Sequence, residues 1–387
     1  MPEGASDLRS SASGKSSEEM ILMRRGTFFS LFAALVLAGC SSTPHKTAAA
    51  PKIGHVFVLV LENQPFDTTF GAQSPAPYLA HELVPQGALL RQYFGIGHFS
   101  LGNYIAMISG QAPNPATQAD CGVFGEFVAS GPMNADGQLP GEGCVYPASV
   151  KTVADQLDAA GHSWKGYMED MGRDPAREPA ACGRVAIGAK DVTNRAAAND
   201  QYADKHNPFI YFHSIIDDEQ RCEQHVVNLD ALTGDLQKIE TTPNYAFITP
   251  NLCNDGHDAP CKNGDPGGLI SADAFLRLWV PRILDSPAFK QDGLLVITFD
   301  EGMLDSTACC GERDLPGGKP AGLDGPGGGR IGALMLSPQI KPGTVSDVPY
   351  NHYSLLRWVE DNFGLAHLGY AGAAGLAPFG ADVFSAR

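Results

Sequence analysis

IGHVFVLVLENQPFDTTFG, residues 53–71, is the stretch of sequence that decides the fold. Within it, residues 56–61 are six apolar residues without polar alternation, rich in valine and leucine. Such a run is typical of a strand buried on both faces, as in a parallel sheet. Glu62 and Asn63 follow the run directly. Because open α/β sheets bind ligands at the carboxyl ends of their strands, these two side chains are candidate oxygen ligands of a hard cation. The alternative is that they only open a turn.

Other apolar runs along the 387 residues alternate between strand-like and helix-like patterns. This alternation predicts an α/β sandwich with a mostly parallel central sheet flanked by helices. The predicted strands after the first are 163–167, 208–212, 245–249, 294–299 and 331–336. The predicted helices are one between Ser100 and Gly110, then 150–160, 228–236, 271–284 and one from about His352 to Phe363. Together they form one predicted domain, 53–368, followed by a C-terminal tail, 369–387.

Polar side chains follow three of the predicted strands. They are the pair at 62–63, the run NDGHD at 254–258, and Asp300 with Glu301. Because α/β enzymes assemble their sites from residues at one edge of the sheet, the sequence predicts a functional site there. The glycine-rich run GPGGGR at 325–330 precedes a strand instead of following one, so we do not interpret it as a phosphate-binding loop.

Ser100 stands at the predicted start of a helix, within GIGHFSLGNYIAMISGQAPN at 95–114. A serine at this position has two interpretations. It can cap the helix with its side chain, which is a common role for serine. It can also be a nucleophile, because backbone N–H groups and the positive end of the helix dipole would hold a phosphate beside the hydroxyl. This segment alone does not separate the two interpretations.

The composition is that of a globular protein and excludes strongly acidic partners. Hydrophobic residues make up 43% of the chain and charged residues 18%. The formal net charge is −16. Residues 1–40 carry equal numbers of acidic and basic residues, so the rest of the chain keeps this charge. Such a surface repels nucleic acid at long range, and no nucleic-acid partner is expected.

The N-terminus has the pattern of a targeting segment. An Arg-Arg pair precedes an apolar run, 28–37, that is too short to span a bilayer. The run ends in Leu-Ala-Gly-Cys, which resembles a bacterial lipobox. The resemblance implies removal of a signal segment, 1–39, a lipid anchor on Cys40 that attaches the protein to a membrane, and a polar tether, 40–52. We therefore expect a cell-envelope lipoprotein, at the outer membrane or facing the periplasm. The alternative is a plain secretory signal and a secreted protein.

The cysteine content predicts disulfides. Nine cysteines are present, and eight remain when Cys40 is set aside. An even number in an oxidising compartment favours disulfides over thiol ligands of a metal. Proximity in sequence suggests the pairs Cys121–Cys144, Cys182–Cys222, Cys253–Cys261 and Cys309–Cys310. Sequence alone leaves other connectivities open.

Five motifs follow one another along the chain. They are LENQPFDTTFG at 61–71, HFSLGNYIAMISG at 98–110, PNLCNDGHD at 250–258, TFDEG at 298–302 and NHYSLLRWVEDNFGL at 351–365. The ordered set resembles the phosphoesterase family of bacterial acid phosphatases and phospholipases C, which belongs to the alkaline-phosphatase-like superfamily. The resemblance covers about residues 53–366 and implies an alkaline-phosphatase-like sandwich fold.

The resemblance implies a set of metal ligands and a nucleophile. Glu62 and Asn63 match the first pair of metal ligands in the family. Ser100 matches the nucleophile, which also contacts the metal. Asp300 and Glu301 match the acidic pair that closes the metal site. A metal-bound serine hydroxyl would have a lowered pKa and would attack a phosphoryl group.

The remaining predicted site residues also come from the resemblance. Asn103 resembles an asparagine that donates to a phosphoryl oxygen. His257 resembles a phosphate-facing histidine that binds the phosphoryl group or protonates the leaving oxygen, and His352 lies where the family also carries a histidine. Asn63 is expected to contact the substrate as well as the metal. His98 belongs to one of the motifs without an assigned role.

The predicted cofactor is one divalent metal ion. Carboxylate and amide oxygens favour calcium, magnesium or manganese, whereas zinc, which is possible, usually takes more nitrogen or sulfur ligands. Two departures from the family pattern affect this site. Gly102 stands where proline is usual, which could loosen the turn at the nucleophile. The Asp-Glu pair at 300–301 varies among relatives, which leaves the identity of the metal open.

The resemblance therefore implies metal-dependent hydrolysis of phosphate monoesters, of the acid-phosphatase type, through a phosphoseryl intermediate at Ser100. The expected substrate is a small phosphorylated molecule. The alternative is a phospholipase C that cleaves phospholipid diesters, which would need an apolar groove. A second alternative is a non-catalytic envelope binding protein with the same fold. Its signature would be the loss of Ser100 or Asp300, and both are present.

Overall fold

The computed structural model describes residues 52–310, 321–323 and 325–384. They belong to one compact unit, Ala48–Arg387. The predicted signal segment, Cys40 and the tether up to residue 51 lie outside the described residues. Within the described ranges, no helix combines the length and apolar character needed to cross a membrane.

The central feature is a mostly parallel sheet, as the apolar runs predict. The strands of the described residues are, in chain order, β1 His55–Leu61, β2 Ala88–Leu90, β3 Tyr93–Phe94, β4 Val128–Ala129, β5 Gly141–Glu142, β6 Trp164–Met168, β7 Val226–Asn228, β8 Tyr245–Thr249, β9 Gly293–Phe299, β10 Ala333–Leu336, β11 Thr344–Ser346 and β12 Tyr350–Asn351. Eight of them form one sheet in the order β11-β2-β10-β9-β1-β8-β6-β7. β10 runs antiparallel to both of its neighbours, and every other pair in this sheet is parallel.

Strand β1 lies near the middle of the sheet, between β8 and β9. Every residue of β1 and of β9 is buried. Both strands have neighbours on each side and are covered on each face, so neither face needs polar side chains. This explains why the two runs are apolar without alternation. The carboxyl ends of both strands lie at the edge of the sheet where the polar residues follow.

The helices pack against the sheet and against one another. The α-helices of the described residues are, in chain order, α1 Phe66–Thr69, α2 Ser100–Ser109, α3 Val153–Ala160, α4 His213–Ile216, α5 Glu219–His225, α6 Leu232–Asp235, α7 Gly268–Asp285, α8 Pro287–Asp292 and α9 His352–Phe363. All ten residues of α2 are buried, and α2 packs against α9. A helix that is enclosed on all sides is held in a fixed position by its neighbours.

Helix ends follow the local signals of the sequence. Gly110 ends α2 in the left-handed conformation with φ of 67°, and Gly161 ends α3 in the same way. Asn351 starts α9 with a capping box, in which its side chain accepts the Ser354 N–H. α7 contains Pro281 inside the helix, within the predicted range 271–284. These termini agree with the predicted helices to within a few residues.

Two predicted elements are wrong. The predicted strand 208–212 is a 3₁₀ helix, Pro208–Tyr211. Pro208 fixes φ and lacks an N–H, which suits the first position of a helical turn. A short apolar run does not distinguish a buried strand from a buried helical turn. The predicted helix 228–236 is divided, because it begins at the end of β7 and continues through a 3₁₀ turn, Leu229–Ala231, into α6.

The described part of the segment predicted as a C-terminal tail packs against the domain. The ring of Phe384 stacks on Trp358 of α9 with centroids 5.5 Å apart. Phe379 is buried and meets Tyr350 edge-on at 5.0 Å. These aromatic contacts join residues 369–384 to α9, so this segment covers part of the core.

The four predicted disulfides are present in the structure. They are Cys121–Cys144, Cys182–Cys222, Cys253–Cys261 and Cys309–Cys310. Cys253 and Cys261 both lie in the loop after β8, whereas Cys182 lies in the loop after β6 and pairs with Cys222 of α5. Cys309 and Cys310 are adjacent in sequence and follow the polar residues at the end of β9. The loops around the sheet edge are therefore covalently fixed at several points.

Candidate active site

The polar residues that follow three strands meet at one edge of the sheet. In the register of the parallel pair, Leu61 of β1 lies beside Phe299 of β9, so Glu62 and Asp300 both begin where their strands end. The Asp300 N–H donates to the Leu61 carbonyl at 2.9 Å. The Glu62 N–H donates to the carbonyl of Asp255, in the loop after β8, at 2.8 Å. The predicted meeting of these three segments is therefore observed.

The carboxylate of Glu62 lies at the centre of this edge. It is fully buried, and its two oxygens accept hydrogen bonds from different partners. The Ser100 hydroxyl donates to Oε2 at 2.8 Å, and the Tyr104 hydroxyl donates to Oε1 at 2.5 Å. The Asn63 amide also donates to Oε2, at 3.0 Å. Ser100 and Tyr104 are four residues apart on α2, so they project from the same face of the helix.

Ser100 is the first residue of α2, and it does not cap the helix. The capping position belongs to Phe99, whose side chain makes no cap hydrogen bond. The interpretation of Ser100 as only an N-cap is therefore wrong, because its hydroxyl donates to Glu62. Phe99 has φ of 70° and ψ of 130°. A bulky residue pays about 1–3 kcal/mol for such a conformation, which is found chiefly at functional sites.

Asn63 connects the first and the third of the converging segments. Its backbone has φ of 57°, in the left-handed region that asparagine tolerates. Its N–H donates to Oδ1 of Asp300 at 2.9 Å while its side chain contacts Glu62. The other oxygen of Asp300, Oδ2, is buried without a hydrogen-bond partner. Glu62, Asn63, Ser100 and Asp300 thus form one contiguous cluster.

The buried carboxyl groups of this cluster disfavour ionisation. Burial, reinforced by the charges of Asp300 and Asp255, raises the pKa of Glu62 well above its ordinary value. Burial likewise raises the pKa of Asp300 and of Asp255. Several carboxylates this close together and away from water need a compensating positive charge to be ionised at once.

One buried cation lies nearby. Lys205 Nζ donates to Oδ2 of Asp120 at 3.1 Å, and Oδ1 of the same carboxylate accepts the Leu101 N–H at 3.1 Å. Although burial opposes it, the charges of Asp120 and Glu62 raise the pKa of Lys205. The lysine therefore stays charged, and Asp120 links it to the first turn of α2. Lys205 in turn lowers the pKa of Glu62 to a limited extent.

His206 is a site residue that was not predicted from the sequence. Its Nε2 lies 3.3 Å from Oε2 of Glu62, and its Nδ1 lies 3.3 Å from Oδ2 of Asp255. Both nitrogens are buried and neither has good hydrogen-bond geometry. The ring stacks on Tyr104, with centroids 5.2 Å apart. Burial lowers the pKa of His206 well below its ordinary value, so the ring is neutral. The available signal was a Lys-His pair directly before an apolar run.

His257 lies at the border of this cluster and reaches solvent. Its main-chain N–H donates to Oδ1 of Asp255 at 2.7 Å, and its ring lies 6.2 Å from the ring of His206. Nδ1 pairs with Asp258 at 2.7 Å, and about a third of the side chain is exposed. The ring therefore has one nitrogen paired with a carboxylate and is partly open to solvent. This position agrees with a role at the substrate.

His352 lies behind Asp300 and has no free nitrogen. Its Nε2 donates to the Asp300 carbonyl at 2.7 Å, and its Nδ1 lies 3.2 Å from the Tyr93 hydroxyl. Burial lowers the pKa of His352 to about 4. The structure thus gives this predicted catalytic histidine a contact that holds the backbone of Asp300 and does not place it on the exposed side of the site.

Asn103 is occupied in a similar way. Its side-chain oxygen accepts the N–H groups of Ile96 and Gly97 at 2.8 and 3.1 Å. Its amide donates to the Gly97 carbonyl at 2.9 Å. These bonds fix the loop that leads into Ser100. The predicted phosphoryl donor is therefore engaged with the protein backbone.

Glu301 faces a different partner from Asp300. Its carboxylate contacts Nδ1 of His98, whose Nε2 lies 2.9 Å from the carbonyl of Asp305. Burial raises the pKa of Glu301 to about 7. Although burial opposes it, the hydrogen bond to Glu301 raises the pKa of His98. His98, which had no assigned role, is thus the partner of a predicted metal ligand.

The predicted metal ligands are partly assembled. Among the described residues, no group of three or more His, Cys, Asp or Glu side chains is arranged to hold a metal ion. The buried, unpartnered Oδ2 of Asp300 beside Asn63 and Glu62 nevertheless fits a positively charged ligand. The nearby unpartnered atoms are carboxylate oxygens, which suit a hard divalent cation, and the ring nitrogens of His206.

Comparisons with known proteins agree with this description. The fold and the site define an α/β protein with a serine hydroxyl held against buried carboxylates at the carboxyl edge of a parallel sheet. The chain belongs to the phosphoesterase family, whose model matches residues 73–366. The matched region begins after Glu62 and Asn63, so their place in the site is supported by the structure and the motif.

Several relatives are phosphatases. A probable acid phosphatase of Kluyveromyces lactis is 28% identical over 316 residues, which cover 81% of this chain and 59% of that protein. A phosphatidylinositol-3-phosphatase of Mycobacterium tuberculosis is 26% identical over 347 residues, 88% of each chain. A crystal structure of an alkaline phosphatase superfamily protein from Vibrio parahaemolyticus has a TM-score of 0.46 and 14% identity, and the alignment covers 87% of this chain and 72% of that one. This chain spans about half the length of the acid phosphatases it matches.

Proposed function

We propose that this chain hydrolyses phosphate monoesters, with Ser100 as the nucleophile. The observation that carries the proposal is the bond from the Ser100 hydroxyl to Glu62 at the start of a buried helix, beside Asn63 and Asp300. Family membership and similarity to acid phosphatases favour phosphoric ester hydrolysis over a non-catalytic role. The positive end of the α2 dipole favours an anion at Ser100.

The proposed reaction has two displacements at phosphorus. Ser100 Oγ attacks the phosphorus atom, its proton passes to Glu62, and the bond to the leaving alcohol breaks. Water then attacks the phosphoserine, the Oγ–P bond breaks, and inorganic phosphate and the free hydroxyl result. The 2.8 Å hydrogen bond from the Ser100 hydroxyl to Oε2 of Glu62 supports this proton transfer. His257, which is partly exposed, would supply a proton to the leaving oxygen.

A divalent cation belongs to this proposal. Glu62, Asn63, Ser100 and Asp300 would hold it, with Glu301 contributing if it turns from His98. When bound, the cation would lower the pKa of the serine hydroxyl and offset charge on the phosphoryl oxygens. Calcium, magnesium and manganese fit the oxygen donors best, and zinc is the less favoured alternative.

The location of the protein is also a proposal. The lipobox-like end of the targeting segment supports a lipid anchor on Cys40 and attachment to the cell envelope. Cys40→Ala is expected to move the protein from the membrane fraction to the soluble fraction. Equal membrane association of both forms would contradict the anchor.

The test of the nucleophile compares two serines on the same helix. Ser100→Ala is expected to abolish turnover of p-nitrophenyl phosphate. Ser109→Ala removes a buried hydroxyl that bonds the Ile105 carbonyl, far from Glu62, and should keep most of the activity. Acid quenching during turnover should trap phosphate on Ser100. Full activity of Ser100→Ala would overturn the assignment. Phosphatidylcholine assayed in parallel identifies the phospholipase C alternative, for which that diester would be the better substrate.

A further inference from the structure

A cavity of about 300 Å³ lies beside the residue that precedes Ser100. Its lining combines apolar and polar residues and includes Phe99, Pro115, Ala321, Leu323, His98 and Gln118. His98 contacts Glu301, and Phe99 is joined by its peptide bond to Ser100. The cavity therefore borders the proposed catalytic site and is not a separate surface feature.

The ring of Phe99 is exposed although it stands next to the proposed nucleophile. About half of its surface, 48%, is accessible, whereas Ser100 itself is buried. The positive φ of Phe99 is unfavourable for an aromatic residue, and the ring recovers little burial in return. A strained backbone that holds an apolar ring at the mouth of a site is a reason to look for a ligand that covers the ring.

The opposite wall of the cavity is held in place by the loop before Ser100. The carbonyl of Ala321 accepts the main-chain N–H of His98 at 2.9 Å, and the Gln118 amide lies 3.4 Å from the same carbonyl. Leu323, two residues after Ala321, also lines the cavity and is 46% exposed. Phe99 and Leu323 are thus two partly exposed apolar residues that line the same cavity.

Two further exposed apolar residues lie in the turn after Glu301, whose carboxylate contacts His98 of the cavity lining. Met303 and Leu304 follow Glu301 and are 49% and 80% exposed. They belong to a turn in which the Asp305 N–H donates to the Gly302 carbonyl at 3.0 Å. The carbonyl of Asp305 lies 2.9 Å from the His98 ring, which lines the cavity. Several exposed apolar side chains around one opening are characteristic of a binding surface.

We propose that this cavity is a subsite for the leaving group, and that it binds the apolar part of an alcohol whose phosphate lies at Ser100. The proposal rests on the proposed phosphatase function. The preferred substrates are phosphate monoesters of aryl or alkyl alcohols, and polar esters such as glycerol phosphate are poor ones. The cavity holds about one ring or a short alkyl chain.

The test uses a series of alkyl phosphates, ethyl, butyl and hexyl, whose leaving groups have nearly equal chemical reactivity. The value of kcat/KM is expected to rise by about threefold for each methylene group that the cavity buries. Leu323→Ser should reduce the ratio between hexyl and ethyl phosphate by about tenfold. Phe99→Asn replaces the ring with a residue type that tolerates positive φ, and it should also reduce the ratio between hexyl and ethyl phosphate. Ile270→Ser changes an exposed apolar residue on α7 and should leave the ratio unchanged.

The readout separates the subsite from the function. A flat series in the unmodified protein, or an unchanged ratio in both Leu323→Ser and Phe99→Asn, would overturn the subsite while leaving the phosphatase intact. If none of these esters is hydrolysed, the proposed function itself fails. If the subsite is supported, 1-naphthyl phosphate and lysophosphatidic acid distinguish an aryl alcohol from a lipid alcohol as the leaving group. The class that the subsite binds should show the greater loss of kcat/KM in Leu323→Ser. Thermal unfolding of each variant confirms that it is folded.

Discussion

The imidazole Nδ1 of His206 lies 3.3 Å from the carboxylate Oδ2 of Asp255, and both atoms are buried without a hydrogen bond. The other nitrogen of the ring lies equally close to Glu62. A neutral ring thus stands between two carboxyl groups at the end of the sheet. A small movement of the ring, or an added proton, would complete hydrogen bonds on both sides.

His206→Ala is expected to lower kcat/KM on p-nitrophenyl phosphate by about 10²–10³-fold. The change removes the group that separates Glu62 from Asp255 and leaves two carboxyl groups facing each other. His225→Ala is the matched control. The ring of His225 stacks on Trp164, and its Nδ1 is hydrogen-bonded to the main-chain carbonyl of Trp164. Similar losses in the two variants would show that His206 acts only through stability, which urea denaturation measures.

Removal of divalent ions is expected to inactivate and destabilise the protein. A cation that binds only the folded state stabilises it by about 2.7 kcal/mol at one hundred times its dissociation constant. Chelation should therefore lower the temperature of thermal unfolding, and magnesium, manganese or calcium should restore it. The shift should vanish in Asp300→Asn and persist in Asp67→Asn, which alters an exposed carboxylate paired with Arg330. A shift of equal size in both variants would exclude Asp300 as a ligand.

Glu360 should make the stability of the protein fall as pH rises. Its Oε1 accepts the Leu368 N–H at 2.8 Å, its Oε2 is buried without a partner, and burial raises its pKa from 4.5 to about 8. Between these values the folded state binds more protons than the unfolded chain, so the free energy of unfolding decreases with increasing pH. Below the lower value both states are protonated, and the effect disappears.

Glu360→Gln is therefore expected to gain about 1–3 kcal/mol relative to the unmodified protein between pH 5 and pH 8. Urea denaturation at several pH values measures the difference. Asp361→Asn, at the neighbouring and more exposed position, is the control and should show no such gain. A parallel pH dependence in the unmodified protein and in Glu360→Gln would contradict the assignment.

Loss of the longer disulfide should destabilise the protein more than loss of the shorter one. Cys182 and Cys222 are separated by 40 residues, and Cys253 and Cys261 by 8. Loop-closure entropy predicts a difference of about 1.4 kcal/mol between the two double alanine variants. Because all four cysteines are buried, the packing changes are comparable. Equal losses in urea denaturation would show that loop length does not control these bonds.

The parts of the fold that the sequence predicts are the strands that must be buried on both faces. Apart from His55 and Thr298, β1 and β9 carry no polar side chain, because both faces are covered, and their ends are marked by Glu62 and Asp300. The pattern therefore predicts both the strand and its functional end. The segment at Pro208 fails this logic, because burial alone makes a helical turn as apolar as a strand.

The predicted site residues that the structure brings together belong to the sequence motifs. The site residues that were missed are brought to the site only by the packing of the fold. Ser100 and Glu62 meet as the family motif implies, and the family itself is confirmed. His206 lies next to the segment that was wrongly interpreted as a strand. The sequence therefore did not show where the His206 side chain points. Tyr104 has the helical spacing of a core residue, and nothing in that spacing shows that its hydroxyl reaches a carboxylate. Such contacts depend on side-chain positions in three dimensions.

The two hydrogen bonds from α2 to Glu62 have a mechanical consequence. Ser100 and Tyr104 hold opposite oxygens of one carboxylate from consecutive turns of a single helix. A shift of one residue would turn the helix by about 100° about its axis and break both bonds together. The direction of the Ser100 hydroxyl is thus tied to that of Tyr104 through the helix, and an insertion between the two residues would separate them from their shared carboxylate.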